Sequence, residues 1–311
     1  MTWWHAVILG LVEGITEYLP VSSTGHLIIT SALLGLDDPA VKQSVDTFTI
    51  VVQGGAILAV LGLYRERVLQ MIRGVLGKDP AGRKLAINIV IAFLPAAVLG
   101  VMFDDWIEAR LFSPIPVLAA LALGGLWMIW LDRPSARRAS AELHEAIEHD
   151  HDPEDEKAKK LGAAPRRHLD IDDITWRTAL AIGFFQVVAM WPGTSRSMMT
   201  IAGGTLLGLH PKKAAEFSFL LGLPTLGGAT VYKLAKNLKE SHDAGTPNMF
   251  EQLGVLPVAI GLIVATISAA IAVKWLVSFL NKHGLAIFGW YRLALCAALG
   301  ALIAAKIVQF G

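Results

Sequence analysis

The chain has 311 residues, of which 54% are hydrophobic and only 17% charged, with a mean hydropathy of +0.54. That balance lies well on the membrane side of a globular domain and speaks against a nucleic-acid binder or a soluble enzyme. The formal net charge of +1 names no partner, because the charges are segregated between apolar blocks and have to be read loop by loop.

The first apolar run carries Glu13 and Glu17 and no basic residue precedes it, so it reads as mature fold and not as a cleaved signal peptide. The lone cysteine, Cys296, sits in an apolar run, which leaves no intrachain disulfide and no cysteine metal site. Residues 3–36 form two apolar pieces, 3–19 and 25–36, broken by Pro20 and by Ser22-Ser23-Thr24-Gly25. Each piece is shorter than the ~20 residues a membrane-spanning helix needs. A break at membrane depth survives only where protein or a wet cavity lines it, so the pair is expected to be a re-entrant helix-loop-helix.

Spans are expected at about 47–63, 85–103 and 114–131. The loop 65–84 holds Arg65, Arg67, Arg73, Lys78, Arg83 and Lys84, whereas 104–113 holds Asp104, Asp105, Glu108 and only Arg110. The positive-inside rule puts the first loop in the cytoplasm and the second outside. Residues 132–175 are polar and crowded with both signs of charge, the composition of a solvated, flexible cytoplasmic linker. His144, His149 and His151 lie there beside acids and read as part of a soluble tether. A second broken unit, 176–209, follows, interrupted at Trp191-Pro192-Gly193-Thr194-Ser195-Arg196-Ser197. Three more spans come at about 213–232, 254–280 and 285–309.

The two broken units align. Pro20-Val21-Ser22-Ser23-Thr24 falls on Pro192-Gly193-Thr194-Ser195-Arg196, and Ala32-Leu33-Leu34-Gly35-Leu36 on Thr205-Leu206-Leu207-Gly208-Leu209. Each half, 1–131 and 176–311, is then one re-entrant pair plus three spans. Three is odd, so the second half enters the membrane upside down. The expected fold is an all-α polytopic membrane protein with about six transmembrane helices and two re-entrant pairs in an inverted-topology repeat. Such repeats place a polar site near the midplane, where the two breaks meet.

The chemistry-bearing residues gather at those breaks. A charge near the bilayer centre costs about 2.5–3.5 kcal/mol even on lenient scales, so such residues point to function. Glu13 and Glu17 are four apart and share a helix face. They either hold a divalent metal through hard oxygen ligands or share a proton and act as acid or base. Ser22, Ser23 and Thr24 precede Gly25 and a helix start, an arrangement suited to phosphate. His26 follows Ser23 by three, the spacing of a base that activates a serine. Thr194, Ser195 and Ser197 repeat the hydroxyls in the second half and add Arg196, whose planar fork fits phosphate. Together these groups suit phosphoryl transfer.

The segments Glu13-Gly14-Ile15-Thr16-Glu17-Tyr18-Leu19-Pro20-Val21-Ser22-Ser23-Thr24-Gly25-His26 and Pro192-Gly193-Thr194-Ser195-Arg196-Ser197 resemble the two signature motifs of the bacterial undecaprenyl-diphosphate phosphatase family, also called bacitracin resistance proteins. The resemblance covers the chain except 132–175. It implies an inner-membrane enzyme that removes the terminal phosphate of the C55 isoprenoid diphosphate and recycles the lipid carrier for cell-wall synthesis. It also implies a divalent cation, Mg2+ or Ca2+, and a homodimer. By position, Glu13 and Glu17 match the family's acidic pair, Ser23 its nucleophile, His26 its base and Arg196 its phosphate-binding arginine. Ser22, Thr24, Gly25, Thr194, Ser195 and Ser197 fall on neighbouring motif positions. Met198, followed by Met199, stands where the family pattern usually continues Ser-Arg-Ser with glycine. On this reading Ser23, deprotonated by His26, attacks the terminal phosphorus, or else His26 activates water directly. The rival is a lipid-phosphate transporter, or flippase, built on the same inverted repeat.

Overall fold

The computed structural model describes residues 1–36, 39–133, 169–280 and 282–308. The greater part of the expected linker, residues 134–168 with His144, His149 and His151, lies outside the described residues.

Among the described residues the chain is helical throughout apart from turns and one isolated bridge that pairs Leu169 with Leu209. The first half comprises α1 (Trp3–Tyr18), α2 (Ser23–Leu33), α3 (Pro39–Leu63), α4 (Arg65–Val75), α5 (Pro80–Leu111) and α6 (Pro114–Leu131). A single 3-10 turn at Ile171–Asp173 leads into the second half. There the elements are α7 (Trp176–Val188), α8 (Arg196–Leu206), α9 (Pro211–Ala244), α10 (Met249–Leu253), α11 (Val255–Leu280) and α12 (Ala286–Ala304). Each half thus runs through a broken helical hairpin, a long helix that opens with proline, a short helix and two further long helices. Six helices are long and apolar enough to cross a membrane, namely α3, α5, α6, α9, α11 and α12. Each coincides with one of the six expected spans.

The hairpin helices are short for local reasons. α1 has 16 residues, α2 11, α7 13 and α8 11, or roughly 16–24 Å at about 1.5 Å per residue, below the ~30 Å hydrocarbon core. α1 stops because Pro20 excludes helical backbone from the residue before it, and Leu19 accordingly turns extended at φ −72°, ψ 142°. The first helix of each hairpin rests on a span of the other half through glycine. A Cβ on Gly10 would stand 2.6 Å from the Gly261 carbonyl oxygen on α11, and one on Gly183 2.6 Å from that of Ala92 on α5. With so little room at either contact, the hairpins are held against rigid spans and their tips point into the protein.

Two stretches differ from the sequence reading. The basic stretch 65–84 is not a plain loop. Its first part is the helix α4, whose apolar Leu69 and Ile72 are exposed alongside Arg65 and Arg73, a mixed surface that the count of basic residues conceals. The polar segment 132–175 also ends in structure, because residues 169–175 pack against the core. Ile171 and Ile174 are buried, the Asn88 amide donates to the Ile174 carbonyl at 2.7 Å, and Lys213 pairs with Asp170 at 2.8 Å. Arg67 bridges Asp172 at 3.1 Å and Glu216 at 2.9 Å, tying α4, this segment and α9 together. Outward-facing residues of the spans, such as Val98, Val101, Ile263, Ile267 and Ile271, are exposed and apolar, as lipid contact requires.

Candidate active site

Both hairpin breaks are built the same way. Ser22 caps α2 and Ser195 caps α8, each at φ 73°, and each hydroxyl accepts from the backbone N–H three residues on, Gly25 at 3.4 Å and Met198 at 3.3 Å. A left-handed conformation costs a non-glycine residue roughly 1–2 kcal/mol, and strain of this kind gathers where a site has to be shaped. Gly193 adds a third positive φ at +93°, where a Cβ would stand 2.8 Å from the Val117 carbonyl oxygen. These turns bring the N-termini of α2 and α8 towards each other, so two positive helix ends converge. The hairpins touch directly: the Ser197 hydroxyl donates to the Leu19 carbonyl at 3.0 Å.

Glu17 is the hub. It is 6% exposed; its Oε2 accepts from the Ser23 hydroxyl at 3.0 Å and its Oε1 from Arg196 Nη2 at 3.3 Å. Arg196 is fixed from three sides: Nη1 donates to the Ser218 carbonyl at 3.0 Å, the guanidinium lies 5.6 Å from the centre of the Tyr18 ring, and a Cβ on Gly222 would stand 3.2 Å from Nη1. Tyr18 is anchored in turn by its hydroxyl, which donates to the Ala56 carbonyl at 3.0 Å. The structure therefore joins Glu17 and Ser23 of the first motif to Arg196 of the second.

It does not join Ser23 to His26. Because a backbone carbonyl can only accept, His26 Nδ1 carries the proton that goes to the Ser22 carbonyl at 2.7 Å. Nε2 is then left to accept from the Tyr291 hydroxyl at 2.7 Å, and the two rings stack at 5.6 Å. The expected Ser–His pair is replaced by Ser–Glu, because α2 starts at Ser23 immediately after a positive-φ turn and folds that hydroxyl back over the last turn of α1.

Glu13 is fully buried, and neither carboxylate oxygen has a hydrogen-bond partner. Its polar neighbours include Glu17 and Gln53. An orphaned carboxylate one helical turn from a second is a fitting donor set for a hard cation. Among the described residues no three His, Cys, Asp or Glu gather in one group, so further ligands would come from phosphate oxygens or water. Gly25 packs against Leu121 and Leu295, Thr24 is half-buried in the first turn of α2, and Ser195 and Ser197 share a hydrogen bond at 3.0 Å. Thr194 is buried with its hydroxyl unpartnered. At the offset set by the matched caps Ser22 and Ser195, Gln186 stands where Glu13 does and Met190 where Glu17 does, so the second hairpin has the hydroxyls without the acids.

Sequence reasoning missed Tyr18, Tyr291 and Arg292. Arg292 is 0% exposed and its Nη2 donates to the Gly193 carbonyl at 2.8 Å and the Ala120 carbonyl at 3.0 Å. The signal was present, since an arginine inside an apolar span is a functional candidate by cost alone.

Comparison with known proteins gives the family. The family described as "Bacitracin resistance protein BacA" matches residues 6–298. The undecaprenyl-diphosphatase of Sorangium cellulosum is 45% identical over 303 residues, 97% of this chain and 86% of its own length. Undecaprenyl-diphosphatase 2 of Rhodospirillum rubrum is 43% identical over 291 residues, covering 93% of this chain and 90% of its own. The undecaprenyl-diphosphatase of Azotobacter vinelandii is 44% identical over 290 residues, again 93% and 90%. With a family match that runs from within α1 to within α12, this chain belongs to the bacitracin resistance protein BacA family.

Proposed function

We infer that this chain is a multi-pass membrane phosphatase that hydrolyses undecaprenyl diphosphate to undecaprenyl phosphate and inorganic phosphate. It thereby recycles the lipid carrier for peptidoglycan synthesis and confers bacitracin resistance. The observation that carries the mechanism is Glu17, which holds a serine hydroxyl with one oxygen and a phosphate-type arginine with the other.

When the terminal phosphate enters between the hairpins, Arg196 turns to its oxygens and leaves Glu17 free to take the Ser23 proton. Ser23 Oγ then bonds to the terminal phosphorus while the bridging P–O bond breaks, and the lipid monophosphate leaves with that electron pair. Water attacks the phosphoserine phosphorus and passes a proton to a phosphate oxygen as the P–Oγ bond breaks. Inorganic phosphate departs and the Ser23 oxygen takes back the proton held by Glu17. The N-termini of α2 and α8, with Arg196, neutralise the charge that spreads over the phosphate oxygens, which is the larger part of catalysis in such reactions. His26 keeps Nε2 as an acceptor, and once Tyr291 moves aside it would orient the water of the second step. A divalent cation, Mg2+ or Ca2+, would be held by Glu13 and Glu17 and would supply further neutralisation of phosphate charge.

The reading extends to the bacterial inner membrane, to a homodimer, and to an inverted arrangement of the two halves with hairpins that re-enter the membrane. Matched caps at Ser22 and Ser195 and matched glycine contacts at Gly10 and Gly183 support the repeat. A transporter with the same architecture is separated by one assay. Purified protein in detergent, with no sealed compartment, should release phosphate from C55 diphosphate and lose that activity to a chelator. If release required sealed vesicles, or were absent in detergent while lipid phosphate still crossed the bilayer, the enzyme reading would be wrong.

A further inference from the structure

Arg292 is a buried cation with most of its donors idle. Its side chain is inaccessible, Nη2 serves the Gly193 and Ala120 carbonyls, and Nε and Nη1 are buried with no acceptor. A guanidinium has five N–H donors, so the three on these two nitrogens are unmet. No carboxylate among the described residues forms an ion pair with it. Arg196 differs, because Glu17 balances its charge. An isolated buried charge is costly unless a counter-charge arrives, and two carbonyls alone do not call for a guanidinium.

The unmet donors are not scattered. Thr194, next to the carbonyl that Arg292 holds, has a buried unpartnered hydroxyl, and Arg196 Nε is unpartnered as well. A Cβ on Gly124 would stand 2.6 Å from Arg292 Nη2 and 3.0 Å from Met198 Sδ, which places Arg292 against the first turn of α8. The neighbouring Tyr291 holds His26 of the other hairpin at 2.7 Å. Unsatisfied donors therefore gather around the second hairpin, beside the turn that leads into Arg196.

We propose that Arg292 is a second phosphate-binding residue of the active site, contacting the phosphate that stays on the lipid while Arg196 contacts the one that leaves. This rests on the diphosphatase reading. A diphosphate carries charge on both phosphates, and cleavage adds charge to the oxygen retained by the lipid product. A guanidinium facing that phosphate strengthens its contacts as the bond breaks. Thr194 would add a neutral donor to the same phosphate.

The test compares wild type, Arg292→Met and Arg292→Lys in detergent. It reads the melting temperature with and without inorganic pyrophosphate, and kcat and KM for C55 diphosphate. Arg292→Met removes a charge with no protein counter-ion, so its ligand-free melting temperature should equal or exceed that of wild type. Its stabilisation by pyrophosphate should vanish, and kcat/KM should fall about 10- to 100-fold, the worth of one hydrogen-bonded charge. Arg292→Lys, which keeps the charge without the fork, should lose about tenfold in kcat/KM. A Met variant that melts lower without ligand yet keeps the pyrophosphate shift would mark Arg292 as a clamp on the Gly193 loop and overturn the proposal. So would an unchanged kcat/KM in the Lys variant, whatever the Met variant does. If wild type itself neither binds pyrophosphate nor releases phosphate, the diphosphatase reading fails and takes this inference with it.

Discussion

Replacing Glu17 by glutamine exchanges one oxygen for an NH2 group and alters two contacts of different kinds. The carboxylate accepts from the Ser23 hydroxyl at 3.0 Å and from Arg196 at 3.3 Å, with Glu17 6% and Arg196 10% exposed. A glutamine presents one oxygen and one NH2 group: with the NH2 towards Arg196 a donor faces a donor, and with the NH2 towards Ser23 the hydroxyl has to accept where it now donates. If the NH2 faces Arg196, the guanidinium loses its counter-charge. Breaking a buried pair by removing one partner costs about 3–5 kcal/mol, although Arg196 retains the Ser218 carbonyl and the Tyr18 ring, which puts the expected loss at the lower end. Catalysis suffers separately, because an amide cannot take the Ser23 proton and general-base assistance is worth about 10²- to 10⁴-fold. Glu17→Gln should therefore lower kcat by about 10²-fold or more and destabilise the ligand-free protein. The double variant Glu17→Gln/Arg196→Met should be less destabilised than the sum of the singles, since the two residues share one interaction. Phosphate release and thermal unfolding in detergent measure both quantities. Glu17→Gln with more than about a tenth of wild-type kcat, or strictly additive stabilities, would refute the claim that Glu17 is both the proton acceptor and the partner of Arg196.

Three further outcomes follow from named contacts. Gly222→Ala places a methyl 3.2–3.3 Å from the Arg196 guanidinium, so KM for the diphosphate should rise several-fold with little change in melting temperature; an unchanged KM would show that Arg196 does not need this position. Glu13 is buried with both oxygens unpartnered, so Glu13→Gln should leave the chelator-treated protein as stable as wild type or more so, while stabilisation by added Mg2+ or Ca2+ disappears. Retained stabilisation would place the cation elsewhere. Burial raises the Asp170 carboxyl, but the hydrogen bonds from Lys213 and the Ile171 N–H outweigh it and hold the group below its ordinary value. A folded carboxyl held low contributes stability that is present above its unfolded titration point and is lost as pH falls through the folded one. Melting curves of Asp170→Asn should accordingly lack one component of the wild-type loss of stability on acidification, with the two proteins converging at low pH.

The six long helices were legible because hydropathy is a property of sequence alone and lipid offers the backbone no partner outside the helix. The two breaks were legible for a related reason, since Pro20 and Pro192 interrupt apolar runs too short to cross. What could not be read was contact across elements. Ser23 and His26 are three apart, which suggests a pair only if both lie well inside one helix. Ser22 at φ 73° instead makes Ser23 the first residue of α2 and turns it towards Glu17. The polar end of the linker resembled solvated chain because its partners, Arg67, Asn88 and Lys213, lie far away in sequence. Arg292 passed unnoticed inside an apolar run, although its cost there was the available clue. The hydroxyls of the second hairpin were visible, but only the structure shows Ser197 bonded to Leu19, a contact that joins the two half-sites beside the Arg196–Glu17 pair.

The central claim is that Ser23, held by Glu17 beside Arg196, forms a covalent bond to the terminal phosphorus. Rapid acid quench of the purified enzyme with C55 diphosphate labelled in its terminal phosphate tests this directly. The account predicts labelled protein within the first turnover, with the label on Ser23, and neither label nor more than a few per cent of turnover in Ser23→Ala. Unlabelled wild type with substantial turnover in Ser23→Ala would contradict it and leave water, not serine, as the attacking group.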